Sequence, residues 1–359
     1  MTNKHMPYDL AQMQSLPLRA KIIMTQQRIR QWYEYWDGQV YVSFSGGKDS
    51  TVLKHIVDGM YSDVTALYVN TGLEYPELQA FVREIKAGKY DCFNSDVEIV
   101  RPEMRFDEVI KKYGYPVISK EVAQKIVEAK SCPGGYASQS FDSNSPKIQK
   151  YGSRFDLSKW KFLFDAEFNI SHMCCNVMKK KPAKKYEKET GRKAIIGTMA
   201  SESKARQTIW EKYGCNAFEK KGRQTSQPLS FWTEQDIYHY IKEFSIPYAS
   251  VYGDIVIDEK VDGDSVLEGQ INLIDYLGCY EEGDRLKTTG CDRTGCVYCM
   301  FGCHLDRTPN RFQRLKQTHP RQYEYCIGGG EYNEEGKWEP SKKGLGIGKV
   351  LDCIGVKYD

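Results

Sequence analysis

Nowhere in this 359-residue chain does an apolar run approach the roughly 18–20 residues that a membrane-crossing helix needs. The opening Met-Thr-Asn-Lys-His-Met-Pro has no apolar core of the kind a secretory leader carries, so a non-secreted, cytoplasmic protein with no membrane partner is expected. Charge of one sign is missing too. Lys and Arg number 51 against 48 Asp and Glu, a formal net charge of +3, which excludes a globally basic nucleic-acid coat and an acidic tail protein. With 30 Gly and 13 Pro, the chain is too poor in both for low complexity. There is no internal repeat at periods of about 20–50 residues. No Gly-x4-Gly-Lys-Ser/Thr occurs, so a Walker A loop is absent. What remains is ordinary globular usage, 40% apolar and 28% charged, in a length that suggests about two domains.

Cysteine is present in quantity, at 12 residues. In a cytosolic protein these are not expected to be structural disulfides, because the compartment keeps thiols reduced. Their placement carries the information. Cys174 and Cys175 are adjacent, and Cys291, Cys296, Cys299 and Cys303 crowd one segment, a clustering that points to metal or redox chemistry. Cys92, Cys132, Cys215, Cys279 and Cys326 read as ordinary thiols. The 25 tyrosines are scattered and read as half-buried packing.

Residues 1–37 have a helical period through Leu18, Ile22, Ile23, Ile29 and Trp32, with Pro17 at a helix start. Val40, Val42 and Phe44 alternate as a strand. Val52, Leu53, Ile56, Val57 and Met60 then mark one face of a helix. Val64 to Val69, Val97 to Val100 and Ala194 to Ile196 read as three more strands. Ser119 caps a helix through Val122, Ile126 and Val127, and Thr233-Glu-Gln-Asp236 opens another with a capping box. Strand–helix alternation predicts an α/β fold, a Rossmann-like parallel sheet with helices on both faces, over residues 38–250. An N-terminal helical segment (1–37) precedes it. An insertion (251–290, with an apolar patch at Val266 to Leu277) and a Cys-rich C-terminal segment (291–359) follow. Residues 131–154, rich in Ser, Gly, Asn and Tyr, read as a long surface loop.

The most specific motif is Ser45-Gly46-Gly47-Lys48-Asp49-Ser50, between the first strand and its helix. Glycines let a backbone approach an anion, and a helix start offers free N–H groups and the positive end of its dipole. Lys48 adds charge, and Ser45 and Ser50 add hydroxyls. Asp49 can hold Mg²⁺ or cap the helix. Gly344-Leu-Gly-Ile-Gly-Lys349 is a weaker Gly-rich stretch and reads as a loop.

Placed after a strand, Ser-Gly-Gly-Lys-Asp-Ser resembles the pyrophosphate-binding PP-loop of ATP pyrophosphatases. Further segments narrow the resemblance to the phosphoadenylyl sulfate (PAPS) reductase family, in its iron–sulfur branch. They are Asn70-Thr71-Gly72-Leu-Glu-Tyr-Pro-Glu77; Cys174-Cys175 with Lys181-Pro182; Gly197-Thr-Met-Ala-Ser-Glu202-Ser203-Lys-Ala-Arg206; Pro228-Leu229, Trp232 and Asp236-Ile237; Ile246-Pro247-Tyr248; and Gly295-Cys-Val-Tyr-Cys299. They stand in family order over residues 40–304. The resemblance implies the PP-loop (HUP-type) fold and an adenine nucleotide (ATP with Mg²⁺, adenylyl sulfate or PAPS) bound by residues 45–50, Thr71, Gly72 and Gly197. It implies one [4Fe–4S] cluster on Cys174, Cys175, Cys296 and Cys299, and admits a homodimer. Lys48, Asp49 and Arg206 are the candidate catalytic residues, Arg206 as a bidentate phosphate contact at a strand end.

Two readings of the cysteines stay open. Cys291-x4-Cys296-x2-Cys299-x3-Cys303 by itself offers four thiolates for a local iron–sulfur or zinc site, with His304 a spare ligand. The basic run Met178–Lys193 is either a solvated helix face or a positive field beside the nucleotide, and leaves a nucleic-acid partner open. Lys120 with Glu121 reads as an exposed helix start. Two chemistries share such a scaffold. ATP can be attacked at its α-phosphorus with loss of pyrophosphate, the adenylylated group then passing to sulfur. Alternatively a thiolate attacks the sulfate sulfur of a sulfonucleotide, and sulfite is released. The intact loop favours the first, with the ATP-dependent sulfurtransferases of DNA phosphorothioation as the family's nearest analogue and a sulfur-donor or thiol-reductant protein as partner. The reductases' C-terminal Glu-Cys-Gly-Leu/Ile-His segment is missing, and Asp352-Cys353-Ile-Gly355 is the nearest substitute. A nucleotide sensor without turnover is the third reading.

Overall fold

The structure, a computed structural model, describes residues 4–219, 223–258 and 285–359. Its sheet is built from strands β1 (Val40–Phe44), β2 (Ala66–Val69), β3 (Val97–Val100), β4 (Lys193–Ile196) and β5 (Thr225–Ser226). The order is β3-β2-β1-β4-β5 and every pairing is parallel. β1 is central: Val42 lies opposite Ala66 on one side and Ile195 on the other. Its residues are buried on both faces, as a strand covered by helices must be.

One face packs on Val52, Leu53, Ile56 and Val57 of the helix Lys48–Asp58 and on Leu78, Phe81, Val82 and Ile85 of the helix Pro76–Lys86. Ile29 and Trp32 of the helix Leu18–Tyr35 join the same core, with Ile237 and Ile241 of the helix Glu234–Glu243. On the other face Tyr41, Leu67 and Ala194 pack against Ala183 and Tyr186. Thr233 caps the helix Glu234–Glu243, accepting from the Asp236 amide while the Asp236 carboxylate accepts from Thr233 N. The same carboxylate takes the buried Lys21 ammonium at 2.7–2.8 Å, which fastens the N-terminal helix to this one.

The chain divides into two compact, discontinuous units: residues 1–70, 75–100 and 183–294, and residues 71–74, 101–182 and 295–359. The boundaries expected near 37, 250 and 290 follow the chain, whereas the folding units do not. Ile29 and Trp32 are core residues of the sheet unit, so the N-terminal segment is part of it. The Cys-rich segment groups with residues 101–182 only from residue 295 onward.

Two expected loops fold differently. Residues 131–154 contain helical turns at Ser138–Phe141, Pro146–Tyr151 and Ser153–Phe155. Ser145 caps the second with Pro146 at its first position, and Phe141 is buried edge-on against Phe164, centroids 4.9 Å apart. Three short turns leave no periodicity to read, which is why composition alone points to a loop. In the Gly-rich stretch, Ile347 opens a helix to Cys353 after the left-handed Gly346. The ends of the insertion pair as an antiparallel hairpin, Ile255–Ile257 with Leu286–Thr288. Its apolar patch and Cys279 lie outside the described residues.

Candidate functional sites: a phosphate loop and a cysteine cavity

β1 runs into Ser45-Gly46-Gly47, and the helix begins at Lys48 with Gly47 as its cap residue. Gly46 sits at φ +74°, and a Cβ there would meet Val82 Cγ2 at 2.9 Å. Its glycine is therefore required by the turn and by the close approach of the helix Pro76–Lys86. Ser45 and Ser50 brace the loop. Ser50 Oγ donates to Gly47 O (2.9 Å), accepts from Ser45 N (3.1 Å) and lies 3.0 Å from Ser45 Oγ, which also accepts from Gly47 N. A cavity of about 100 Å³ opens over this turn in the sheet unit. Its walls include Ser45, Gly47, Lys48, Asp49, Ser50 and Gly197. Six of the nine residues expected to bind a nucleotide thus share one wall. Gly197 has a packing reason as well, since a Cβ there would come within 3.0 Å of the Asp49 carbonyl.

Lys48 is buried, and its ammonium is partnered. Nζ donates to the Asp292 carbonyl (2.8 Å) and pairs with Glu234 (2.9 Å), 5.5–5.6 Å from the rings of Tyr252 and Tyr238. Its amide donates to Tyr252 Oη at 3.1 Å. Asp49 caps nothing. Its Oδ1 is buried without a hydrogen-bond partner among the described residues. Burial pushes its carboxyl up from the ordinary value, Lys48 opposing and Glu234 assisting.

Arg206, the expected phosphate contact, is not among the residues lining this cavity. It pairs with Glu202, whose carboxylate also accepts from Met199 N (3.0 Å) and from Arg293 Nη2 (2.6 Å). Glu202, Tyr252, Arg293 and Thr294 complete the lining, and of these only Glu202 falls in a motif legible in the sequence. Arg293 and Thr294 carry one trace beforehand: they stand directly ahead of the Gly-Cys-x-x-Cys motif.

Thr71 and Gly72 belong to the second unit and are not among the residues lining this cavity. Glu74 closes their turn, accepting from Thr71 N (3.1 Å) and Oγ1 (2.6 Å). Leu73 O then accepts from the amide of Val297, between Cys296 and Cys299, at 2.8 Å. The segment therefore supports the cysteine loop.

In that unit Cys174, Cys175, Cys296 and Cys299 line one small cavity of about 20 Å³, with Lys179 and apolar side chains such as Leu73, Phe106 and Met178. The adjacent pair opens a single π-helical turn, Asn176–Lys180, a distortion common at functional sites. Cys174 donates to Cys175 across 3.8 Å. That bond, with Lys120 and Lys179 and against the effect of burial, holds the Cys175 thiol down to about 5, while Cys174 is pushed up. Burial pushes Cys296 up to about 11 and raises Cys299. Arg311 fixes the loop by donating to the carbonyls of Cys299 and Phe301 (both 3.0 Å) while it grips Asp306 with Nε and Nη2. Among the described residues no three Cys, His, Asp or Glu side chains group as a single-ion site.

Cys291 and Cys303 are not among the residues lining this cavity. Cys291 is in the sheet unit, its amide donating to Val251 O (3.0 Å). Cys303 is buried in a turn and does not line the cavity. His304 packs edge-on against Trp160, 5.2 Å between centroids. Cys353 is exposed at a helix end, and burial of its sulfur with nearby Glu167 raises its pKa. No helix among the described residues is long and apolar enough to cross a membrane.

Comparison with known proteins supplies the family. A stretch of 91 residues, 24% of this chain, is 34% identical to an uncharacterized protein of Methanocaldococcus jannaschii. It spans only 21% of that relative's length. Among solved structures, a phosphoadenylyl-sulfate (PAPS) reductase from Candida auris, in its phosphate complex, aligns over 63% of this chain and 82% of its own, at 17% identity and a TM-score of 0.37. The profile of the phosphoadenosine phosphosulfate reductase domain matches residues 39–131 and 138–300, well over half of the chain and inclusive of both sites just described. The chain belongs to the phosphoadenosine phosphosulfate reductase domain family.

Proposed function

We propose that this protein is an adenylylating enzyme of sulfur chemistry: it binds ATP with Mg²⁺ at the Ser45–Ser50 turn, releases pyrophosphate and passes the activated group to a sulfur nucleophile. The observation that carries this reading is the phosphate-loop cavity, in which a helix start, a buried lysine and an orphaned carboxylate oxygen meet. An acceptor oxygen attacks the α-phosphorus, the bond to the bridging oxygen breaks, and the electron pair leaves with pyrophosphate. A sulfur nucleophile then displaces AMP from the adenylylated acceptor. Such transfer needs positioning and charge neutralisation more than a dedicated base.

Charge at the site supports a metal-escorted polyphosphate. Lys48, Arg206 and Arg293 are matched by Asp49, Glu202 and Glu234, so the protein brings little net positive charge. A polyanion entering alone would be poorly neutralised, whereas Mg²⁺ on Asp49 would offset both the phosphates and the orphaned oxygen.

In the second unit, Cys174, Cys175, Cys296 and Cys299 would hold a [4Fe–4S] cluster. Four soft ligands from two chain segments line one largely apolar cavity, which suits the donor set of a cubane. Such a cluster supplies one-electron chemistry or an iron site for sulfur.

The family's name favours a second reading, reduction of adenylyl sulfate or PAPS to sulfite. It needs a thiolate nucleophile, and Cys353, with its raised pKa, is poorly suited to the role at neutral pH. Protein purified without oxygen and given Mg·ATP, adenylyl sulfate or PAPS in parallel decides between them. Lys48-dependent pyrophosphate from ATP is expected. Sulfite from a sulfonucleotide without pyrophosphate from ATP establishes the reductase, and tight ATP binding with no product establishes a sensor.

A further inference from the structure

Three consecutive residues, Asp292, Arg293 and Thr294, each meet a different part of the phosphate site. The Asp292 carbonyl accepts from Lys48 Nζ at 2.8 Å. Arg293 Nη2 donates to Glu202 Oε1 at 2.6 Å. Thr294 Oγ1 lies 2.6 Å from Tyr252 Oη, the group that receives the Lys48 amide at the helix start. The segment crosses the turn as a strap. A Cβ on Gly47 would come within 3.3 Å of Thr294 Oγ1, so the strap and the loop are fitted to each other.

Of the two guanidiniums held by Glu202, the one on the cavity wall is Arg293. Its side chain is 61% exposed, so nothing in the fold requires its charge at this spot. An exposed pair with Glu202 contributes little stability, and an arriving phosphate is a strong competitor for the planar fork. We propose that Arg293 is a phosphate-binding residue of this pocket, carried by the strap and held ready beside the cavity by Glu202, with Arg206 bracing Glu202. The ligand class is a di- or triphosphate chain with its divalent cation. The inference rests on the nucleotide reading of the cavity, and its test separates the two.

Titrate the intact, anaerobically purified protein with inorganic pyrophosphate plus Mg²⁺, and with Mg·ATP, by calorimetry. Wild type is expected to bind both. Arg293→Ala is expected to weaken pyrophosphate at least about tenfold, the scale of a charge-assisted contact. Arg293→Lys, which keeps the charge but loses the fork, falls between. Lys287→Ala removes the same charge from the nearby hairpin, where Lys287 pairs with Asp258, and stays within about twofold of wild type. Near-UV circular dichroism checks that the variants keep the native fold. Arg293→Ala binding within about twofold of wild type overturns the proposal, as does an equal loss in Lys287→Ala, which would reveal a general field. Failure of the wild type to bind either ligand overturns the nucleotide reading itself.

Discussion

The pocket over the Ser45–Ser50 turn and the cysteine cavity present opposite materials to a ligand. In the first, cations and carboxylates face each other in pairs: Lys48 with Glu234, Arg206 and Arg293 with Glu202. In the second, four thiols stand among apolar side chains, and burial works against ionising Cys296 and Cys299. In the polar site Lys48, Arg206 and Arg293 are paired before any ligand arrives, while Asp49 Oδ1 is orphaned, and a ligand can exchange with the paired carboxylates. The thiol site is unsatisfied, and a metal that deprotonates its ligands would relieve that, making occupancy part of the second unit's stability. The two sites should therefore fail separately, and by different measures.

The sharpest way to break this comparison is at the cysteines. Cys174→Ser and Cys296→Ser are each expected to lose nearly all bound iron while Mg·pyrophosphate affinity stays near wild type. Iron retained in Cys174→Ser, together with iron lost in Cys291→Ser, would transfer the site to the local four-cysteine arrangement. Next is Lys48→Ala, expected to lower pyrophosphate release at least about a hundredfold, as loss of a positioned charge in a dry site does. Its iron content should not change. Lost iron there, with the fold intact by circular dichroism, would mean the two sites are not independent.

A smaller effect tests where the thiol site ends. Cys303 is buried but lies off the cavity, so Cys303→Ser should cost only the burial of a hydroxyl, about 1–3 kcal/mol by denaturant unfolding, with full iron. Loss of metal in this variant would bring Cys303 into the ligand set.

How much of this was legible beforehand follows from where each signal is written. The strand–loop–helix of Val40 to Asp58 is local, so alternation, glycines and apolar period all agree, and the loop residues share one wall as expected. The converging of Cys174-Cys175 with Cys296 and Cys299 is not local; only the resemblance to a family anticipates it, and the cavity agrees. Arg206 reads as a phosphate contact because it follows a strand end, yet the cavity wall holds Arg293, from a segment whose only mark is to precede a Cys-x-x-Cys. Thr71 and Gly72 are nucleotide-binding by resemblance alone, and their sequence carries no sign that the neighbouring Leu73 carbonyl accepts from Val297. The turns within 131–154 are held by Phe141 on Phe164, a contact that no window of neighbouring residues contains.

The smallest predicted effect has an unusual sign. The ordinary expectation for a buried carboxylate is that it is paired and that removing its charge destabilises the fold. Asp49 has an orphaned Oδ1, and its pKa is raised, burial outweighing Lys48. A carboxyl whose pKa is higher in the folded state favours folding most when protonated. That contribution is complete below the ordinary carboxylate value and is lost as pH rises through the folded one. At neutral pH the unfolded chain's carboxyl is ionised and that contribution is reduced, so burying Asp49 costs the ligand-free protein stability, and Asp49→Asn should raise the unfolding temperature by about 1–3 °C. With Mg·ATP the order should reverse: wild type gains stability by mass action, and the variant, lacking the metal-binding charge, gains little. A lower unfolding temperature for the ligand-free variant would show that Asp49 has a structural partner after all, and the case for Mg²⁺ at this carboxylate would lose its physical basis.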